Sequence, residues 1–292
     1  MSRYEAEILT DEVSEHAEGP LWNVERRSLI WVDQYRGLVK EIRPEGDDSG
    51  MQNIWNLGMA VGAIVPRETS GWMIAAGEGF HRLSEDGALT PVADVLPADG
   101  LRRRMNDGKC DPLGRFWAGS MAYSKTPRAA SLYRLESGVA SEVLADVTIS
   151  NGLAWDSTGE TLFFIDTPLR SVRRFRVAPS GLRAEQVVVD IPASEGAPDG
   201  MCRDREGNFW IALWGGNGVH RYSPAGKLLQ RIDVAARQVS SCCFGGSELS
   251  TLFITTSAEG YSDADLEADP NAGKIFAFQT DTVGLAPDVY RG

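Results

Sequence analysis

Similar short segments recur six times along this 292-residue chain, and four of them carry an oxygen-bearing side chain immediately before a glycine. These four side chains are Glu18, Asp107, Asn151 and Asp199. Carboxylate and amide oxygens are the ligands that hard divalent cations prefer, and clustered carboxylates without a cation repel one another and have raised pKa values. If the fold brings these side chains together, the chemistry they favour is the binding of a divalent cation.

The four side chains share one position in a repeat. A short apolar segment opens a similar unit six times, at intervals of roughly 42 to 48 residues, and such a period is typical of a β-propeller. The first strand of each propeller blade lines the central channel, so equivalent positions meet around one axis. The repeat therefore predicts an axial metal site. Superposition of the six openings aligns Glu18, Val61, Asp107, Asn151, Asp199 and Ser241.

Each repeat contains several short segments rich in Val, Ile, Phe and Trp, separated by turn residues, which predicts strands. In the fourth repeat the predicted strands cover residues 149–156, 162–166, 172–177 and 186–190. The sixth repeat lacks one strand, and residues 4–9 can supply it, which would close the ring and remove exposed edges. We predict an all-β, six-bladed β-propeller that forms one domain over residues 1–292, closed by the N-terminal strand.

Composition excludes several classes of partner. The formal net charge of −12 argues against a nucleic-acid or anionic-membrane partner, which would need a basic surface. Residues 1–10 show no signal peptide and no segment approaches the length of a membrane span, so we expect a cytoplasmic protein. We expect its four cysteines to be reduced thiols. The three histidines are scattered and are not expected near a nucleophile, which disfavours a serine hydrolase.

The alternative to metal binding is that these residues only form turns, because Asn-Gly and Asp-Gly are common turn dipeptides. The shared register of Glu18, Asn151 and Asp199 favours coordination instead. Asp107 is preceded by Asn106, and the two could divide between metal and substrate. The loops that enter the inner strands, and those between second and third strands, form the mouth of the channel at the end where these residues lie. One of these loops carries three arginines at 102–104, of which we assign function to at most one. A guanidinium there could hold a substrate oxygen.

These motifs resemble those of the regucalcin and gluconolactonase family, which also includes senescence marker proteins and sugar lactonases. The resemblance covers nearly the whole chain, with several motifs in the same order. The matching segments are Glu18-Gly19-Pro20-Leu21-Trp22, Arg104-Met105-Asn106-Asp107-Gly108-Lys109-Cys110-Asp111-Pro112, Phe116-Trp117-Ala118-Gly119-Ser120-Met121, Ile149-Ser150-Asn151-Gly152-Leu153, Pro198-Asp199-Gly200-Met201-Cys202 and Ser241-Cys242-Cys243-Phe244-Gly245-Gly246.

The resemblance implies a six-bladed propeller that hydrolyses sugar-derived lactones with one divalent cation. The cation would be held by Glu18, Asn151 and Asp199, and Asp199 would also be the acid/base. By the same resemblance, Arg104 and Asn106 would hold substrate hydroxyls or ring oxygens. Where some relatives place a substrate-binding glutamate, this chain has Tyr123, which can hydrogen-bond a sugar but cannot accept as a carboxylate does.

A cation with open positions would polarise the lactone carbonyl. Asp199 would assist proton transfer, or Asp107 would supply the base, since a metal-bound carboxylate is the weaker base. Oxygen ligands fit calcium, magnesium, manganese or zinc equally. Two alternatives stay open: a phosphotriesterase-like activity on the same metal, and a non-catalytic propeller that binds calcium or a protein partner.

Overall fold

Six sheets follow one another along the chain in this computed structural model, which describes residues 3–46 and 48–292. Each sheet begins at an inner strand and runs outward through antiparallel neighbours. In the first three blades the strands are β3 (Ala17–Asn23), β4 (Ser28–Asp33), β5 (Leu38–Arg43) and β6 (Gly50–Asn56); β7 (Val61–Pro66), β8 (Trp72–Ala76), β9 (Gly79–Leu83) and β10 (Leu89–Asp94); and β11 (Arg103–Cys110), β12 (Phe116–Ala122), β13 (Ala130–Glu136) and β14 (Val139–Val147).

The remaining three blades repeat this plan. Their strands are β15 (Ser150–Trp155), β16 (Thr161–Asp166), β17 (Ser171–Ala178) and β18 (Gly181–Asp190); β19 (Ala197–Arg203), β20 (Phe209–Trp214), β21 (Gly218–Tyr222) and β22 (Leu228–Asp233); and β23 (Val239–Gly245), β24 (Thr251–Thr256) and β25 (Ile275–Gln279). The all-β, six-bladed propeller predicted from the repeat is confirmed. In the fourth blade β18 starts five residues earlier than predicted, because its first residues pair with the end of β17 in a hairpin.

The N-terminal segment closes the ring, but it does so as two strands. β2 (Glu7–Thr10) pairs antiparallel with β25 and completes the sixth blade, while β1 (Arg3–Glu5) pairs parallel with β22 of the fifth blade. The prediction of one strand over residues 4–9 is therefore wrong in its extent. Ala6 lies between the two strands, is buried, and donates its N–H to the Asp233 carbonyl at 2.9 Å, which marks the crossing from one blade to the next.

The core lies between neighbouring blades. The second strand of each blade is buried along nearly its whole length, as in β4, β8 and β12, whereas outer strands such as β6 and β10 are largely exposed. Large aromatic side chains fill the spaces between sheets, since both faces of each blade must be covered. Four tryptophans in second strands are fully buried: Trp31, Trp72, Trp117 and Trp210.

Helical structure is confined to loops. The α-helix α1 (Asp263–Ala268) lies in the long acidic loop between β24 and β25, and Ser262 caps its N-terminus in a capping box with Asp265. Among the described residues, no helix has the length and apolar character needed to cross a membrane.

Candidate metal centre and active site

Every inner strand has an irregularity in its pairing at the aligned position. The register shifts between Glu18 and Leu21 in the first blade, between Asn151 and Leu153 in the fourth, and between Pro198 and Met201 in the fifth. The other three inner strands shift at the corresponding place. A β-bulge turns a side chain away from the regular alternation, and here it lets the aligned residues face the channel.

The segments before two of the candidate ligands, Glu18 and Asn151, are each held by an aspartate at the end of the second strand. The carboxylate of Asp33 accepts hydrogen bonds from the backbone N–H groups of Glu15 and His16, both at 3.2 Å. Asp166 accepts in the same way from Thr148 N and Ile149 N at 3.1 and 2.9 Å. These aspartates, predicted to be structural, fix the chain two to three residues before Glu18 and Asn151.

A cavity of about 100 Å³ opens at this end of the channel. Five of the predicted site residues line it, and they come from the first, third, fourth and fifth blades. The loops that follow second strands, predicted to form this mouth, contribute Lys125, Thr167 and Glu259. The five predicted residues at the cavity are Glu18, Arg104, Asn106, Asn151 and Asp199.

Two predicted site residues lie outside this lining. Asp107 is buried in the channel, and its Oδ1 accepts from Gly108 N at 2.8 Å. Tyr123 is 40% exposed at the rim, where its ring lies 6.5 Å from that of Tyr35 and beneath the guanidinium of Arg102 at 4.9 Å. The charge of Asp107 therefore affects the carboxylate cluster. Tyr123 lies where it can contact the part of a ligand that extends to solvent.

The buried carboxylates raise one another's pKa values. Burial, then the charge of Asp107, raises the pKa of Glu18 to about 8. Burial raises the pKa of Asp199 well above its ordinary value, and the charges of Glu18 and Asp107 add to the effect. Burial also raises the pKa of Asp107, which the positive charge of Lys109 partly offsets. The protein therefore compensates the ionised forms of these carboxylates poorly, and without a cation the cluster retains protons.

This donor set fits a divalent cation. Within residues 3–46 and 48–292, Asp199 Oδ1 is buried without a hydrogen-bond partner. No three His, Cys, Asp or Glu side chains of those residues form a metal cluster by themselves, so the candidate set needs the amide oxygen of Asn151 beside the carboxylates of Glu18 and Asp199. Carboxylate and amide oxygens are hard ligands, and a divalent cation would neutralise the repulsion between the acids.

Asn106 connects the candidate ligands to the arginine. Its Nδ2 donates to Asn151 Oδ1 at 2.9 Å and to the Ser150 carbonyl at 2.7 Å. Its Oδ1 accepts from Arg104 Nη1 and from Gln34 Nε2. Asn106 therefore orients Asn151, and its polar atoms already have partners in the protein. Asn151 Nδ2 in turn donates to Thr167 Oγ1 at 2.8 Å, which holds the amide from the other side.

Only one of the three arginines reaches the cavity. Arg104 is buried, donates to Tyr35 OH at 3.1 Å, and keeps its Nε without a partner among the described residues. Arg103 forms an ion pair with Asp99 at 2.6 Å and donates to the Ala129 carbonyl, so it holds a loop.

One wall of the cavity contains a residue that was not predicted from the sequence. His16 lies on it with its ring 5.3 Å from that of Tyr35 and 5.5 Å from that of Trp214. Glu259 accepts from Tyr35 OH at 2.9 Å and lies 3.6 Å from Lys125 Nζ. These residues precede or follow strands of different blades, and no repeat register links them.

One of the three histidines, His16, lies beside a serine hydroxyl. Its Nδ1 is 2.7 Å from Ser257 Oγ, and both residues are buried. Burial, followed by the charges of Arg104 and Lys125, lowers the pKa of His16 well below its ordinary value. The ring is therefore neutral at neutral pH.

A larger cavity, of about 550 Å³, lies at the opposite end of the inner strands. Trp22, Trp155 and Phe244 line it, together with Cys110, Cys202 and Cys243 and the segment 285–288. It contains none of the aligned carboxylates, so its size does not make it the candidate metal centre. All four cysteines are buried free thiols, and burial raises the pKa of Cys243 well above its ordinary value, which makes the thiol unreactive.

Comparisons with known proteins agree with this geometry. The family model described as the SMP-30/gluconolactonase/LRE-like region matches residues 16–258. A regucalcin of Danio rerio is 34% identical over the whole of both chains, and a 6-deoxy-6-sulfogluconolactonase of Pseudomonas putida is 32% identical over 94% of each chain. The crystal structure of regucalcin, a calcium-binding protein of Agrobacterium tumefaciens, superposes with a TM-score of 0.92 at 26% identity and covers 99% of this chain and 98% of that one. The chain belongs to the SMP-30/gluconolactonase/LRE-like family.

Proposed function

We propose that this protein is a metal-dependent lactonase that opens sugar-derived lactones, such as gluconolactone or a pentonolactone, to the aldonic acid. The observation that carries the proposal is the cluster of Glu18, Asn151 and Asp199 at one cavity, with a buried carboxylate oxygen that lacks a partner among the described residues. The family and a sulfogluconolactonase relative support a lactone as the substrate. The cation is calcium, zinc, magnesium or manganese, since the donors favour none of them.

The residues around the cluster could bind and polarise a cyclic ester. A divalent cation held by Glu18, Asn151 and Asp199 supplies Lewis-acid polarisation of the carbonyl. Arg104 Nε lacks a partner among the described residues and is available to a substrate oxygen. Tyr123, at the rim, would contact a hydroxyl at the solvent side of the sugar. Asn106 would act by holding Asn151 and Arg104 in position.

Asp199 is the better candidate for the acid/base. Its Oδ1 would take a proton from the attacking water as the water oxygen adds to the carbonyl carbon, and would return that proton to the ring oxygen when the ring C–O bond breaks. Asp107 Oδ1 already accepts from Gly108 N and lies outside the cavity lining. We therefore assign Asp107 an electrostatic contribution to the cluster.

The test is acid release from a panel of aldonolactones, followed with a pH indicator. Chelator-stripped protein receives calcium, zinc, magnesium or manganese in turn. We expect turnover only with a cation, and Asp199→Ala should lose both the cation and activity, while Asp107→Ala keeps the cation and loses rate. Ser241→Ala is the matched control, because Ser241 has the aligned position in the sixth blade but does not line the cavity.

Full turnover by Asp199→Ala would refute the proposed mechanism. A phosphotriester included in the panel tests the phosphotriesterase alternative, which predicts faster hydrolysis of that ester than of any lactone. A second candidate function has one observation in its favour, since the Agrobacterium regucalcin is a calcium-binding protein. Calcium binding without turnover of any substrate would support a non-catalytic propeller.

A further inference from the structure

The histidine on the wall of the cavity has one ring nitrogen engaged by the protein and one that is not. His16 Nδ1 lies 2.7 Å from Ser257 Oγ. Nε2 has no hydrogen bond to any of residues 3–46 and 48–292, although the residue is only 5% exposed and lines the cavity. A polar atom that lines a cavity and has no protein partner is open to a partner from solvent or ligand.

The bonding of Ser257 assigns the tautomer of the ring. Ser257 Oγ accepts the backbone N–H of Glu259 at 2.9 Å. Its single hydroxyl proton has two acceptors within reach, His16 Nδ1 at 2.7 Å and the Glu15 carbonyl at 3.4 Å. If Nδ1 carried the proton, the hydroxyl could donate only to the Glu15 carbonyl, at a distance beyond the usual range of an O–H···O bond, so the hydroxyl donates to Nδ1 instead. An imidazole that accepts at Nδ1 carries a proton on Nε2, so the free nitrogen is a donor.

The ring is held so that this donor cannot turn away. Tyr35 and Trp214 pack against its two sides. An isolated antiparallel bridge joins His16 to Ser257, and the His16 N–H is bound by Asp33. Packing and hydrogen bonds on several sides are what fix a contact residue before its ligand arrives.

We propose that His16 contacts the substrate and donates a hydrogen bond from Nε2 to a hydroxyl oxygen of the sugar-derived lactone. His16 precedes Glu18 by two residues, in the segment that leads into β3, so it lies on the mouth side of the carboxylates. The group it meets is therefore a hydroxyl remote from the reacting carbonyl. This inference rests on the proposed lactonase function and names a specificity determinant for it.

Two substitutions distinguish the contributions of the two ring nitrogens of His16. His16→Asn keeps a polar group near Nδ1 and removes the Nε2 donor, whereas His16→Gln keeps an N–H donor near Nε2. We expect His16→Asn to raise KM about tenfold with kcat within about twofold, the loss of one neutral hydrogen bond, and His16→Gln to stay within about threefold of the wild type. Ser257→Ala, which frees the tautomer, should fall between them.

Deoxylactones identify the hydroxyl. With the wild type, one analogue that lacks a single hydroxyl should lose about tenfold in kcat/KM, and His16→Asn should turn over that analogue and the parent lactone equally. Thermal unfolding and cation titration of each variant check that fold and metal binding are intact. A merely structural role predicts instead that His16→Asn and His16→Gln lose activity alike on every lactone.

An unchanged KM in His16→Asn, or equal losses in both variants, would overturn the inference while the lactonase stands. If the wild type hydrolyses no lactone, the proposed function fails on its own. The contact is then measured by calorimetric titration of the calcium-loaded variants with gluconate. Binding about tenfold weaker in His16→Asn than in His16→Gln supports the contact, and equal binding removes it.

Discussion

Replacing the carboxyl group of Glu18, a candidate metal ligand, with an amide should stabilise this protein when no cation is bound. Glu18 is buried beside Asp107 and Asp199, and its pKa is about 8 instead of 4.5. A carboxyl group whose pKa is raised by folding favours the folded state only while it is protonated. Between pH 4.5 and about 8 the unfolded chain releases this proton and the folded protein does not, so stability falls as pH rises.

The size of the effect follows from the two pKa values. At about 1.36 kcal/mol for each pH unit between them, the free energy of unfolding of the cation-free protein falls by at most about 5 kcal/mol across this range. Glu18→Gln removes the titrating group and keeps an oxygen to accept the Gly19 N–H, which Glu18 Oε2 accepts at 2.8 Å. The variant should therefore match the wild type near pH 4.5 and exceed it by up to that amount at pH 8.

Urea unfolding in the presence of a chelator, at several pH values, measures this difference. Glu248→Gln, which changes an exposed carboxylate, is the control and should follow the wild type. Added cation should reverse the order, because it stabilises only the folded protein that binds it. A difference that does not change with pH, or a Glu18→Gln variant less stable than the wild type at pH 8 with chelator, would refute the reasoning.

Three further changes test the scaffold of the site. Deletion of residues 1–10 removes β1 and β2 and should abolish the cooperative thermal transition seen by circular dichroism; an unchanged melting temperature would contradict ring closure by this segment. Gly62→Ala would place a Cβ 2.2 Å from the Asn106 carbonyl oxygen, so activity should fall and unfolding by urea should show a loss of about 1–3 kcal/mol; wild-type values in both assays would argue against this close approach. Lys40→Met removes the buried cation 3.3 Å from the Asp33 carboxylate and leaves it, among the described residues, only the exposed Arg36 guanidinium at 3.7 Å, which should cost about 3–5 kcal/mol and weaken cation binding in calorimetry; a stability loss with unchanged cation affinity would show that Asp33 does not position the candidate metal ligands.

The axial cluster could be predicted because it depends on register alone. Glu18, Asn151 and Asp199 occupy one position of a repeat whose inner strands surround an axis, so their convergence follows from the fold class. The same register also aligned Asp107, but it does not specify depth in the channel. Asp107 is buried but lies outside the cavity lining.

The position of His16 could not be predicted, because it depends on loop paths. His16, Ser257 and Glu259 belong to segments at the two ends of the chain, and only the closure of the ring brings them together. The split of the N-terminal strand at Ala6 was equally hidden, since residues 4–9 alternate as one strand would. The edges left free by the fifth and sixth blades decide where each half pairs.

Ring closure by β2 also delays the completion of folding during synthesis. Its partner β25 begins roughly 265 residues later in the chain, and at about 5–20 residues per second this separation corresponds to roughly 13–53 s of translation. During that interval β2 has no edge of its own blade to join. An unpaired strand is open to wrong partners on neighbouring chains, so the step most exposed to aggregation is the last one, when the earliest and latest segments of the polypeptide meet.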